Sequence, residues 1–139
     1  MASTIPWDEP LEAVLGGLCF LVVDDDPDTL EVTATLLRLC GATVRTAGSA
    51  SEALALLKVW GWGPDALLSD LEMPGEDGCQ LIARVRQLPG ALGRLPAIAI
   101  TAHHQTMDRI QARAAGFTSL MPKPFNVVAL VSMLRRLRP

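Results

Sequence analysis

The chain has 139 residues, half of them hydrophobic but only 4% aromatic, and a formal net charge of −3. That length accommodates one domain around one aliphatic core, and the net charge does not suggest a nucleic-acid binder. The longest apolar stretch, Ala13 to Val23, runs into three aspartates and is too short to span a bilayer.

Residues 1–16 read as an N-terminal extension before a domain over 17–139. They contain Pro6, Trp7 and Pro10, a helical turn at Leu11–Leu15, and acids rather than the Lys or Arg of a secretory signal. Trp7 is a candidate anchor to the domain surface. Leu18 to Val23 is a continuous apolar run ending in Asp24-Asp25-Asp26, the pattern of a strand buried on both faces. Pro27, Asp28 and Glu31 suit a helix N-terminus, and Gly41 ends that helix after Cys40. Ala42–Thr46 is a second strand. Ser49 caps a helix over Glu52–Trp60, which Gly61, Gly63 and Pro64 break. A third strand ends on Asp70, and a Met-Pro-Gly turn follows. A helix from Gly78 to Leu88, a strand over Pro96–Thr101, a helix over Thr106–Ala115, a strand over Thr118–Met121 and a last helix over Val127–Leu137 complete the chain. Strict alternation with apolar strands means a parallel sheet with helices on both faces. The chain is too short for a barrel of about 250 residues, so the fold class is α/β, a doubly wound five-stranded open sheet.

Charge divides unevenly. Residues 1–80 hold 14 acids and 3 bases, and residues 81–139 hold 1 acid and 9 bases. The expectation is that both halves interleave and partly neutralise, with the basic half retained as a protein-partner surface. Cys19, Cys40 and Cys79 have no metal-ligand spacing and read as reduced thiols of a cytoplasmic protein.

In an open α/β sheet, ligands bind at the carboxyl ends of the strands. Asp24 and Asp25 stand there on the first strand, Asp70 on the third, Thr101 on the fourth and Lys123 on the fifth. Taken singly, each has a bland role: an Asp caps the next helix, a Thr ends a strand, a Lys is solvated. Together they are harder to explain structurally. Clustered carboxylates either take up protons or bind a cation. Oxygen-only ligands favour Mg²⁺, with Mn²⁺ as a substitute. A metal, an ammonium, a hydroxyl and a carboxylate form equipment for phosphoryl transfer. Asp70, between the acidic pair and Lys123 in strand order, is the candidate nucleophile, giving an aspartyl phosphate.

The motifs LVVDDD (21–26), LLSDLEMPGEDG (67–78), IAITA (98–102) and KPF (123–125) resemble those of response-regulator receiver domains of two-component signalling. They cover about residues 17–138 in the family's order. The resemblance implies the flavodoxin-like strand order 2-1-3-4-5 and a phosphoacceptor role for Asp70. It implies Asp25 as a direct metal ligand, Asp24 as a helper through water, and the backbone carbonyl of Glu72 as a further ligand. Thr101, the N–H of Ala102 and Lys123 would hold the phosphoryl group, and the Lys123–Pro124 peptide would be cis. The implied partner is a histidine kinase or histidine phosphotransfer domain. The chain would then be a phosphoacceptor, catalysing at most its own phosphorylation and dephosphorylation, and not an enzyme.

Leu120 stands where the family carries Tyr, Phe or His, with Phe117 nearby, and Glu72 and His103 occupy positions that tune phosphoryl lifetime. His103 and His104 otherwise read as an exposed loop pair. The last helix is apolar nearly all round, so the surface of helix four, strand five and helix five is expected to meet a partner or a second copy. An aspartate-nucleophile phosphohydrolase would need a second Asp where Glu72 stands, and a cap insertion. A flavin-binding module would need a phosphate loop where Asp-Asp-Asp-Pro stands. A receiver used only for protein binding does not need the intact acidic set.

Overall fold

The apolar runs become five parallel strands: β1 (Cys19–Val23), β2 (Thr43–Ala47), β3 (Ala66–Ser69), β4 (Ala97–Thr101) and β5 (Ser119–Pro122). In this computed structural model, which describes residues 8–59, 63–102 and 105–138, their order is β2-β1-β3-β4-β5. That is the expected doubly wound order. β1, β3 and β4 are buried at every position, whereas the edge strand β2 alternates. Two-face burial explains why the central strands read as unbroken apolar runs.

Helices α1 (Pro27–Leu39), α2 (Ala50–Val59), α3 (Gly78–Val85), α4 (Thr106–Ala115) and α5 (Val127–Arg135) connect the strands. One core layer packs α1 and α5 against Phe20, Val22, Leu68 and Ile100. The other packs α2 and α3, with Ala112 of α4, against Leu21, Val23, Leu67 and Ala99. Adjacent strand residues point to opposite faces, so the strands serve both layers. Asp26 caps α1, Ser49 Oγ accepts from Glu52 N, and Gly41 ends α1 at a positive φ.

Some boundaries differ from the sequence reading. The third helix stops at Val85, not Leu88, and a short 3-10 helix over Gly90–Arg94 follows. The reason is Arg86, the C-cap residue of α3. Its guanidinium donates to the carbonyls of Gly116, Gly93 and Leu95, which turns the chain toward β4. The end of the second helix at Trp60, the Trp7 anchor and the His103–His104 pair lie outside the described residues.

The described part of the N-terminal segment packs on the domain. Val14 and Leu15 are fully buried in the α1–α5 layer. Leu15 N donates to Cys40 O. Glu9 pairs with Arg135 and Arg138, and Arg138 also donates to the carbonyls of Ala13 and Val14. A Cβ on Gly41 would strike the carbonyl of Glu12, so that glycine admits the segment.

The two halves neutralise each other in part, as expected: Glu9 pairs with Arg135 and Arg138, Asp24 and Asp70 with Lys123, and Glu76 with Arg84. The strand order places β2, β1 and β3 of the acidic half on one side of the sheet, and β4 and β5 of the basic half on the other. The halves meet at the β3–β4 seam, and α5 of the basic half shares a core layer with α1 of the acidic half.

Candidate functional site

The carboxyl ends of β1, β3, β4 and β5 converge on one edge. β1 delivers Asp24, which is 5% exposed, and then the exposed Asp25. β3 delivers Asp70, whose N–H donates to Val23 O and so ties the two strand ends together. Carboxylate oxygens of Asp24, Asp25 and Asp70 lie within 4.8 Å of one another. Lys123 Nζ sits 3.0 Å from Asp24 Oδ2 and 3.2 Å from Asp70 Oδ2. The remaining oxygen of Asp24 accepts from Asp26 N, and that of Asp70 accepts from Glu72 N.

The electrostatics leave the cluster short of positive charge. Burial pushes the Asp70 carboxyl above its ordinary value; Lys123 and the Glu72 N–H pull it down, and Asp24 adds to the rise. For Lys123, burial alone would lower the value, but the hydrogen bonds and charges of Asp24 and Asp70 outweigh it and raise it. One ammonium faces three carboxylates. An all-oxygen donor set of this kind fits a hard divalent cation. A cleft of about 500 Å³ lined by Asp25, Leu71, Glu72, Met73, Pro74 and Asp77 opens beside the cluster and gives access to it.

Thr101 is fully buried at the end of β4, paired with Pro122, and its carbonyl accepts from Lys123 N. Ala102 follows it and is exposed. The Lys123–Pro124 peptide is cis. Thus Asp24, Asp25, Asp70 and Lys123 are brought into one cluster. Thr101 and Ala102 stand at the same edge, and Glu72 touches Asp70 through its N–H.

Sequence reasoning assigned no role to Gly78 or Ser69. A Cβ on Gly78 would collide with the Asp70 carbonyl, so the start of α3 passes directly under the Asp70 loop. Gly78 N donates to Leu71 O, and the buried Ser69 hydroxyl donates to Asp70 O. The signal for Gly78 was its place just after the Met-Pro-Gly turn, at the first position of a capped helix. Asp77 and Gln80 form the reciprocal cap.

The family model of the response regulator receiver domain matches residues 20–135. The chain is 42% identical over 122 residues to an uncharacterized 14.6 kDa protein in the sodA1 3' region of Leptolyngbya boryana, covering 88% of this chain and 91% of that one. It is 34% identical over 140 residues to the transcriptional regulatory protein TrcR of Mycobacterium tuberculosis, covering 92% of this chain but only 52% of that protein. Among solved structures, chemotaxis protein CheY4 of Vibrio cholerae superposes with a TM-score of 0.77 at 28% identity, covering 87% of this chain and 98% of that one.

Proposed function

The chain belongs to the response-regulator receiver family of two-component signalling, and on that premise we propose that it is a phosphorylation switch that accepts a phosphoryl group on Asp70. The observation that carries this reading is the cluster itself: Asp70 lies beside two further carboxylates and within 3.2 Å of Lys123.

Asp70 Oδ attacks the phosphorus of a phosphohistidine on a histidine kinase or histidine phosphotransfer domain. A P–O bond forms, the P–N bond breaks, and the imidazole keeps the electron pair and takes a proton. The Thr101 hydroxyl and the Ala102 N–H donate to phosphoryl oxygens, and Lys123 turns from the carboxylates to form an ion pair with the group. Asp25 would hold Mg²⁺ directly and Asp24 through water, with the Asp70 carboxylate and the Glu72 carbonyl completing the protein ligands; Mn²⁺ would serve as well. When bound, the ion neutralises phosphoryl oxygens. Attack by water on the aspartyl phosphate resets the switch, so the chain acts on its own modification and turns over no released substrate.

The partner side has structural support. An apolar groove of about 550 Å³, lined among others by Val32, Leu36, Phe125 and Val127, runs from Lys123 between α1 and the loop before α5. A phosphodonor protein seated there reaches Asp70. No described helix is long and apolar enough to cross a membrane, in keeping with a place in the cytoplasm. Self-association through α4, β5 and α5 rests on the exposure of Met107, Ile110, Val127 and Val128, and sedimentation with and without beryllofluoride tests it.

The function is tested by incubating the protein with acetyl phosphate and Mg²⁺ and measuring intact mass. The wild type gains one phosphoryl group and Asp70→Asn gains none. An unmodified wild type would overturn the reading.

A further inference from the structure

Ser69 ends β3 at 1% exposure, level with Val23 on β1 and Ala99 on β4. Both neighbours are apolar and buried, and a hydroxyl placed among them is costly unless it is hydrogen bonded. The Ser69 hydroxyl donates to the carbonyl oxygen of Asp70, 2.9 Å away. Leu67 packs in the layer of α2 and α3, and Leu68 in the layer of α1 and α5. Alternation along the strand therefore turns Ser69 toward α2 and α3 and Asp70 toward the other face. The serine reaches the acceptor through its backbone, from the side opposite the carboxylate.

Three observations give this bond a role beyond satisfying a buried hydroxyl. First, Asp70 N donates to Val23 O at 3.0 Å while Asp70 O accepts from Ser69, so the backbone is held on both sides of the acceptor. Second, the loop that leaves Asp70 returns at once beneath it. Gly78 N donates to Leu71 O, and Gly78 passes so close to the Asp70 carbonyl that no Cβ fits between them. A small rotation of the Asp70–Leu71 peptide therefore displaces the loop and the start of α3. Third, Glu72 comes next along this loop. Its N–H donates to Asp70 Oδ1 at 3.2 Å, and it lines the cleft beside the carboxylates. The direction of its own carbonyl follows from the peptide that Ser69 holds. The Ser69 hydroxyl is a side-chain member of this clamp, so it can be removed with the backbone left in place.

We propose that Ser69 is a positioning residue for the divalent cation of the carboxylate cluster. By holding the Asp70 carbonyl it sets the course of the loop over 71–77 and places the Glu72 carbonyl to complete the ligand set with Asp25 and Asp70. The inference rests on the reading of the cluster as a cation site, and it adds a residue that touches neither the ion nor the phosphoryl group.

The test is isothermal titration calorimetry with Mg²⁺, without phosphodonor, on the wild type and on Ser69→Ala, Ser69→Cys and Ser69→Thr. Ser69→Ala raises the Mg²⁺ dissociation constant about tenfold, the lower end of the cost of losing an outer partner of a metal ligand. Ser69→Cys matches serine in size but is a weak donor, and it follows Ser69→Ala. Ser69→Thr keeps the hydroxyl and restores the wild-type affinity. Urea midpoints in EDTA are measured on all four proteins, because a merely structural serine would lower stability and leave Mg²⁺ affinity alone. Unchanged affinity in Ser69→Ala, wild-type affinity in Ser69→Cys, or a weak site in a Ser69→Thr protein of wild-type stability overturns the proposal, and so does a wild type that binds no Mg²⁺. The cysteine variant keeps the test decisive if the extra methyl of threonine is not accommodated. Since no phosphodonor is present, a failure of Asp70 to take up a phosphoryl group overturns the proposed function and leaves these affinities standing. Normal phosphoryl uptake with unchanged Mg²⁺ affinity in Ser69→Ala overturns this inference alone.

Discussion

Replacing Lys123 with methionine keeps the length of the side chain and removes its charge. Lys123 Nζ lies 3.0 Å from Asp24 and 3.2 Å from Asp70. At an effective dielectric constant of about 20, each contact is worth about 5 kcal/mol of bare attraction. Desolvation of the ammonium offsets much of this, since the lysine side chain is 23% exposed and that of Asp24 only 7%. Breaking a fully buried pair costs about 3–5 kcal/mol; partial exposure here reduces the expectation to about 2–3 kcal/mol. The assay is urea denaturation in EDTA, read as a shift of the midpoint at constant slope. Asp70→Asn alone relieves repulsion within the cluster, so Lys123→Met costs about 1 kcal/mol less in the Asp70→Asn background than in wild type. Mg²⁺ then stabilises Lys123→Met more than wild type, because the cation meets an uncompensated cluster. A loss below about 1 kcal/mol for Lys123→Met, or no coupling between the two positions, would refute the view that this lysine is the counter-charge of the site.

Other expectations follow from the contacts. Arg86→Met removes the donor to three carbonyls, those of Gly93, Leu95 and Gly116, and costs about 3 kcal/mol at about 1 kcal/mol per acceptor; urea midpoints measure it, with Arg86→Lys recovering only part. Leu15→Ala, at a fully buried position, costs about 3 kcal/mol, and a value near zero would mean that residues 8–16 do not belong to the fold. Hydrogen bonds from Arg138 and Arg135 hold the Glu9 carboxyl below its ordinary 4.5. The clamp therefore stabilises the fold above that value and is lost as pH falls through the lower folded-state value. The difference in melting temperature between wild type and Glu9→Gln should be constant near neutrality and shrink on acidification.

The site was legible because its residues obey strong local patterns. Asp24, Asp70, Thr101 and Lys123 each follow an apolar run, and the pleat of a parallel sheet takes such runs to one edge. Burial on two faces left β1, β3 and β4 apolar up to the last residues of β3 and β4, Ser69 and Thr101, with no helical period to confuse them with helices. What escaped the sequence depends on long-range contact. Val14 and Leu15 look like the lead-in to β1, and only the clamp from Glu9 to the end of α5 explains why they are core. Arg86 looks like a cation at a helix end, yet its partners lie as far away as Gly116. The 3-10 helix at Gly90–Arg94 was hidden because Pro89-Gly90 reads as a stop. α5 shows how hydrophobicity can overstate burial. Leu130, Val131 and Leu134 form its buried stripe, and Val127 and Val128 remain exposed.

The central claim is that one carboxylate of three is the nucleophile. Borohydride reduces an aspartyl phosphate to homoserine, so reduction after treatment with acetyl phosphate and Mg²⁺, followed by peptide mass analysis, identifies the acceptor. The account predicts homoserine at position 70 alone. Homoserine at position 24 or 25, or at none of the three, would contradict it.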